Sequence, residues 1–358
     1  MTGPVARPSE ADRAGVGPPP GDDEPRPGRP PVAAGSGRRW PLALAAGVVA
    51  AVVGAGGALG VLAVRGAGGD EELQTFVPSS GGFVVDLGPE WSLVDTNPEP
   101  PSVFGAQDPD RGWVLLVTTS LLPSASRLIE VVSSDLGPSE TAVSTRSLDG
   151  SRALLHVREG GMDTVYLATT RACGTLVTVV TAPGPLGDGG LAEVEEVAGR
   201  IRPDGELTPP PAADPGAGFQ HLEGDDVGLA VPAGFELDPS DDHCLLAVDG
   251  AGRSLDVTFL PVAETSAAVA ALDQVVEAGG GLPEPEATGA GPLRLVVETA
   301  DSPLVLYLVN AGAGMFVVRY ADPLATPGEQ PDLDVLDQVA ASLTYTGSDD
   351  GRAPDATD

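Results

Sequence analysis

Phe83-Val84-Val85-Asp86-Leu87-Gly88-Pro89-Glu90-Trp91-Ser92-Leu93 returns, at a constant offset of 144, as Val227-Gly228-Leu229-Ala230-Val231-Pro232-Ala233-Gly234-Phe235-Glu236-Leu237. Phe83, Val85, Leu87, Trp91 and Leu93 correspond to Val227, Leu229, Val231, Phe235 and Leu237. In both stretches apolar residues alternate and an aromatic residue closes the unit. A period of two predicts a strand with one buried face, and the aromatic at the same place predicts a core plug in each copy.

The repetition continues outward from these strands. Tyr166, Gly174, Val177 and Pro183 answer to Tyr307, Gly314, Val317 and Pro323 at offsets of 141 or 140. Leu191, Val194, Ala198 and Ile201 align with Leu333, Leu336, Ala340 and Leu343 at an offset of 142, at helical spacing and hence on one helix face. Two copies of one domain are therefore expected, at 82–203 and 225–346. Each has a hairpin with a turn at Asp108–Gly112 or Asp249–Gly252, then a helix capped by Ser124 or Thr265, then three strands. The strands are expected at 152–158, 164–170 and 175–181 in the first copy, and at 293–299, 304–310 and 315–320 in the second. An extra strand at 142–148 gives way in the second copy to a Gly- and Pro-rich loop, 279–292. The fold class is α+β, with antiparallel sheets and one helix inserted midway and one at the C-terminal end of each copy.

Outside the copies the composition changes. Residues 1–39 hold nine prolines and no apolar periodicity, and read as a disordered tail. Trp40 to Val64 is a run of 25 residues without charge. At 1.5 Å per residue a helix of that length reaches about 37 Å, enough to cross a ~30 Å hydrocarbon core with some tilt. Arg26, Arg29, Arg38 and Arg39 precede it, whereas Arg65 alone follows before Asp70, Glu71 and Glu72, so the N-terminus is expected in the cytoplasm and both copies outside. A cleaved signal would have a shorter leader and a shorter apolar run; a single-pass signal-anchor in the cytoplasmic membrane fits better. Gly56 and Gly60 have the spacing that lets two such helices pack closely, although a span this rich in Ala, Gly and Val contains such spacings by chance. Residues 65–81 read as a juxtamembrane linker, 204–224 as a stiff Pro-rich linker, and 347–358 as a disordered acidic tail.

All 19 basic residues are arginine, a codon bias of a high-GC gene, and the chain carries a net charge of −33. Nucleic acid and anionic headgroups need basic patches to displace their counterions, so nucleic acid is excluded as a partner.

The order of elements, with the opening pattern Val85, Leu87, Pro89, Trp91 and Leu229, Val231, Pro232, Phe235, resembles the PsbP-like superfamily. That superfamily includes the photosystem extrinsic protein, a Ran-binding yeast protein and LpqN-type exported lipoproteins of high-GC bacteria. The resemblance implies an α/β/α sandwich in each copy and a binding or assembly role rather than catalysis. It carries no site residues over, and the membrane helix departs from the lipid anchor of the lipoproteins.

Catalysis near neutral pH usually needs a titratable group beside a nucleophile or metal, and the chain offers only His156, His221 and His243. His156, between Leu155 and Val157, reads as an exposed strand histidine on the face of Arg158. Asp241, Asp242, His243 and Cys244 are adjacent, so on a strand they point in opposite directions and read as a solvated turn rather than a metal site. The Asp108 and Asp110 pair also reads as a turn. No catalytic, cofactor or metal-binding residue is expected. Cys173 and Cys244 fall in different copies. Outside the membrane such a pair is readily oxidised, and a bridge would tie the domains together; the alternative is that they never come within the ~7 Å Cα separation a disulfide requires. The expected function is a non-catalytic binding or assembly module of the cell envelope that contacts an envelope protein or small ligand. The alternative is a sensory ectodomain signalling to the Pro-rich tail.

Overall fold

Strands that are apolar on both faces require cover on both faces, and each copy supplies it with corresponding elements in one order, the first copy having one strand more at its start. The computed structural model describes residues 61–66, 73–94, 102–224, 226–239, 243–273, 276, 281–299, 303–325 and 330–347. In chain order the first copy comprises β1 Val61–Gly66, β2 Gln74–Pro78, β3 Phe83–Leu87, β4 Ser92–Leu93, β5 Ser102–Asp108, β6 Trp113–Ser120, α1 Ala125–Ser134, β7 Thr141–Asp149, β8 Arg152–Glu159, β9 Met162–Arg171, β10 Gly174–Pro183, α2 Asp188–Gly199 and β11 Ile201–Pro203. The second comprises β12 Phe219–Glu223, β13 Val227–Pro232, β14 Phe235–Leu237, β15 Leu245–Asp249, β16 Ser254–Leu260, α3 Thr265–Asp273, β17 Glu286–Ala287, β18 Leu293–Glu298, β19 Pro303–Asn310, β20 Met315–Ala321, α4 Leu333–Ala341 and β21 Thr344–Tyr345.

The main sheet of the first copy runs β4-β5-β6-β10-β9-β8-β7 and that of the second β14-β15-β16-β20-β19-β18-β17, strand for strand the same. All of their neighbours pair antiparallel. One face carries Leu155, Val157, Tyr166, Val177 and Val179 against Leu128, Ile129 and Val132 of α1. The other carries Leu115, Leu154, Val165 and Val180 against Phe83, Val85 and Leu87 of β3 and Val194 and Ala198 of α2. In the second copy Leu272 of α3 covers one face, and β13 with Leu336, Val339 and Ala340 of α4 covers the other.

This differs from a plain α/β/α sandwich. The opening strand of each copy stays out of the main sheet and joins a small one, β1-β2-β3-β11 or β12-β13-β21, and that sheet shares the second flank with the C-terminal helix. The architecture is two tandem, mainly antiparallel β units, each flanked by two helices.

Trp91 and Phe235 plug the two cores as their alternation predicts. Other expectations need correction. The 65–81 linker contains β2, whose Phe76 is buried against the first core. The 204–224 linker is stitched to the second copy instead of standing free. Leu207 is buried there and bridges Gly312, the Thr208 and Ala213 N–H groups donate to Ala311 and Ala341 carbonyls, and Phe219–Glu223 is β12. Between its prolines, these residues retain the N–H groups that pairing needs. The loop 279–292 holds β17, which pairs with Leu293 and Arg294 at the sheet position of β7.

Tyr166 and Tyr307 are not counterparts. Leu115, Val180 and Val165 lie in register across the first sheet as Leu255, Tyr320 and Val305 do across the second, an offset of 140. Tyr166 therefore matches Leu306, and Tyr307 matches Leu167; a slip of one residue moves a side chain to the opposite face. Of the apolar run 40–64, residues 40–60 lie outside the described residues, as do the tails 1–39 and 348–358. Val61–Gly66 is not the end of a helix but strand β1, antiparallel to β2. No helix among the described residues is long and apolar enough to cross a membrane.

The copies are fastened to each other. Cys173 and Cys244 form a disulfide, with Cα atoms 5.1 Å apart. Arg171 donates to the Gly82 carbonyl of the first copy, the Gly205 carbonyl of the connection and the Ala313 carbonyl of the second. Ala263 and Glu264 N–H groups donate to the Ser80 carbonyl, and Leu121 of the first copy is buried in the second copy's core. Gly174 and its counterpart Gly314 both press on Phe259; a Cβ on either would lie 2.1 Å from an atom of that residue.

Replacing both cysteines, Cys173→Ala with Cys244→Ala, opens a link between residues 71 apart. The chain-entropy account expects a loss of about 4 kcal/mol. Urea unfolding followed by circular dichroism checks it: the midpoint should fall, and an unchanged midpoint would show the bridge adds nothing.

Candidate functional site

Glu159-Gly160-Gly161-Met162 closes β8 on β9 with a two-residue turn, and both glycines sit at positive φ, 58° and 89°. Such a turn suits the right-handed twist of a hairpin and pins its register. Arg158 therefore stands opposite Asp163, and His156 lies diagonally beside it on the same face. The face is covered by α2 and the segment leading into it, so His156 is 1% exposed and Asp163 0%. This overturns the reading of His156 as an exposed strand residue.

Asp163 is satisfied from three directions. Arg158 donates through Nε at 2.7 Å and Nη2 at 2.9 Å, the Leu186 N–H at 2.7 Å, and His156 Nε2 lies 2.8 Å from Oδ2. The Arg158 guanidinium holds the carboxyl far below its usual range; burial opposes this, and the Leu186 N–H and His156 reinforce it. An ionised carboxylate only accepts, so the proton of this hydrogen bond sits on Nε2 of His156.

Ser144 of β7 lies directly across from His156. Ser144, His156 and Asp163 thus form a row over three adjacent strands, the residue types of a nucleophile, a base and its orienting acid. The row lacks two requirements for that chemistry. Ser144 Oγ and His156 Nδ1 are both closed to solvent, and no hydrogen bond joins them. What the arrangement does is anchor Leu186, and with it the start of α2, to the sheet.

The second copy ties its helix to the sheet by different means. In the first, Arg146 of β7 donates to Glu195 of α2. In the second, Arg294 donates to both oxygens of Asp337 on α4, at 3.0 and 3.1 Å, and Tyr307 donates to Asp337 at 2.8 Å. Asp337 is Glu195 at the helix offset of 142, and Arg294 is Leu154 at the sheet offset of 140. Leu154 is the residue opposite Arg146. With β7 reduced to two residues, the arginine has moved one strand inward. Burial, then the neighbouring Asp337, pushes the Tyr307 hydroxyl well above its usual range.

The remaining candidates fall into scaffold roles. Asp108 Oδ1 accepts from Asp110 and Arg111 N–H groups, and Asp249 Oδ1 from Ala251 and Arg253, so each is a hairpin turn. His243 Nδ1 lies 3.7 Å from Asp256, whose other oxygen takes Arg319 Nε at 2.5 Å. Asp241, Asp242, Gly56 and Gly60 lie outside the described residues. His221 is exposed beside Glu223. Among the described residues no group of three acidic, His or Cys side chains could hold a metal.

Among the described residues a groove lies open on each copy. One, of about 490 Å³, runs between α1 and β7 over Ile129 and Ala153. The other, of about 330 Å³, lies between Asp214 and His221 in the second copy. Beside the first groove, β7 is the outermost strand of its sheet, and among the described residues nothing pairs with its outer edge. The strand is expected from the sequence; its open edge is not.

No family model matches this chain, and no curated protein matches it. Among solved structures, the solution structure of cyanobacterial PsbP (CyanoP) from Synechocystis sp. PCC 6803 is similar at 20% identity and a TM-score of 0.30, over 40% of this chain and 99% of that one. The T6SS immunity protein TplEi of Pseudomonas aeruginosa, complexed with "L" peptide, is similar at 10% identity and a TM-score of 0.21, over 74% and 96%. At scores this low neither likeness carries an argument about this protein.

Because the folded pKa of Asp163 is depressed, its contribution is fully present above the unfolded value of about 3.9 and is lost as pH falls through the folded one. Asp163→Asn should cost about 1–3 kcal/mol at pH 7, since it takes the charge from the buried acceptor of Arg158, His156 and the Leu186 N–H while Arg158 keeps its access to water. Urea unfolding from pH 7 down to pH 2 checks both: the gap between wild type and variant should close toward the acid end, and a constant gap would assign the loss to packing.

Proposed function

We propose that this chain is a membrane-anchored, extracytoplasmic binding or assembly module of the cell envelope, and that it performs no catalysis. The observation that carries the reading is the disulfide between the copies. Such bonds persist in oxidising compartments and are rare in the cytosol. This one stands beside the Arg171 clamp and the burial of Leu121, so the two copies are suited to present their surfaces in one fixed relation.

The polar groups at these joints support a passive role. Asp163, His156, Asp337 and Asp256 are engaged in holding helices and strands together. The PsbP-like pattern of the opening strands favours the same class. For the anchor, removing β1 from the apolar run leaves residues 40–60, which as a helix would still reach about 31 Å, close to a ~30 Å hydrocarbon core. The folded body would then begin at the membrane surface. An acidic body there is repelled by anionic headgroups and stays free for partners.

Protease added to wall-stripped cells tests this. The part from residue 66 onward should be cut and an N-terminal tag retained, and non-reduced peptide mass spectrometry of the same cells should find Cys173 joined to Cys244. Cleavage of the tag with the C-terminal part intact would reverse the topology and remove the reading.

A further inference from the structure

We propose that the outer edge of β7 receives an extended, cationic segment of a partner protein, which adds to the first copy's sheet as a further strand. This deepens the binding role proposed above and rests on it.

The first support is what the fold does not require. At the sheet position of β7 the second copy has only Glu286 and Ala287. β7 has nine residues, most of them exposed, and only Leu148 packs on the core. Val143 is 45% exposed. A strand this long is more than the core needs, and its outward backbone groups are a ready template for another chain.

Its protection is selective. Edge strands are usually blunted by lysine, proline, bulges or a covering element. β7 has no lysine and no proline, and its only arginine is drawn to Glu195. It has two bulges, between Ala142 and Ser144 and between Ser147 and Asp149, and between them Ser144–Ser147 pair regularly with Ala153–His156. Bulges at both ends bend the edge away beyond that run. The edge suits a short strand and discourages open-ended stacking. On one side the α1–β7 groove, floored by Ile129 and Ala153 and walled by Ser126, Ser133, Thr145 and Ser147, offers room for the partner's alternate side chains.

Charge selects the occupant. Each arginine near the edge is already held by a carboxylate: Arg127 by Glu130, Arg146 by Glu195, Arg152 by Asp149 and Arg158 by Asp163. Asp135, Glu140 and Glu159 have no ion pair among the described residues, which leaves the rim negative. A second copy of the chain, at a net −33, would meet repulsion where a cationic segment meets attraction.

The test uses the full chain in uncharged detergent micelles. The probe is a nine-residue peptide alternating Arg with Val and Thr; controls replace Arg by Glu, or three of its Val and Thr residues by Pro. Hydrogen–deuterium exchange mass spectrometry should show amides within 141–149 slowed by about tenfold or more on adding the Arg peptide, while 286–298 is unchanged. Both controls should bind at least about tenfold more weakly, and so should the Arg peptide to an Asp135→Arg, Glu159→Arg double variant, whose changes are exposed. Equal binding of the Glu or Pro peptide, or binding without slowing in 141–149, overturns the proposal. Slowing that arises from raised protein concentration alone, with a doubled mass, overturns it in favour of self-pairing. If the topology holds and β7 is unaffected, only this inference falls; if β7 binds and the C-terminal part proves cytoplasmic, the compartment falls and the docking edge stands.

Discussion

A seven-stranded sheet with apolar residues on both faces must be covered twice, and everything else in the two copies follows from that requirement. The helix inserted after β6 or β16 covers one face. The other is too wide for a single helix of nine to twelve residues, so the opening strand, the strand before it and the last strand form a small sheet beside the C-terminal helix. Apolar burial at about 25 cal/mol per Å² rewards complete cover of both faces. The polar fastenings, Asp163 to Leu186 and Asp337 to Arg294, sit where the C-terminal helix meets the sheet.

The duplication could be read from residues because the opening strand and the final helix each pack one apolar face on the core. Val194, Val197 and Ala198 fall on the buried side of α2, as Leu336, Val339 and Ala340 do on α4, all at the offset of 142. The central strands are less legible for a physical reason. Buried on both faces, they read as nearly continuous apolar runs, and an alignment can slip by one residue without any mismatch in polarity. That is how Tyr166 came to face Tyr307 in an alignment that the ladders do not support. The short edge elements β2, β12 and β17 escaped because strands of two to five residues carry almost no periodic signal.

The burial of His156 is hard to read from the sequence for a related reason. Its neighbours Leu155 and Val157 declare one buried face, and on the opposite face Leu154 stands as one apolar residue among Arg152, His156 and Arg158. The signal was nonlocal and still available: Gly160-Gly161 between two apolar runs specifies a tight hairpin, whose register sets Asp163 opposite Arg158 and one diagonal from His156. A carboxylate, a guanidinium and an imidazole converging on one face mark a buried cluster. The open edge of β7 had no comparable signal, because whether a strand has an outer neighbour depends on the topology of the whole sheet.

Leu121 has an evolutionary consequence. Tandem repeats invite unequal recombination, which deletes one unit and leaves the other intact if each is self-sufficient. Here the loss of the second unit would uncover a leucine, half a disulfide and the glycine that abuts Phe259. The surviving fragment would carry a sticky window facing solvent. Once side chains of one repeat had settled inside the other, the ancestral single-unit gene was no longer a viable retreat.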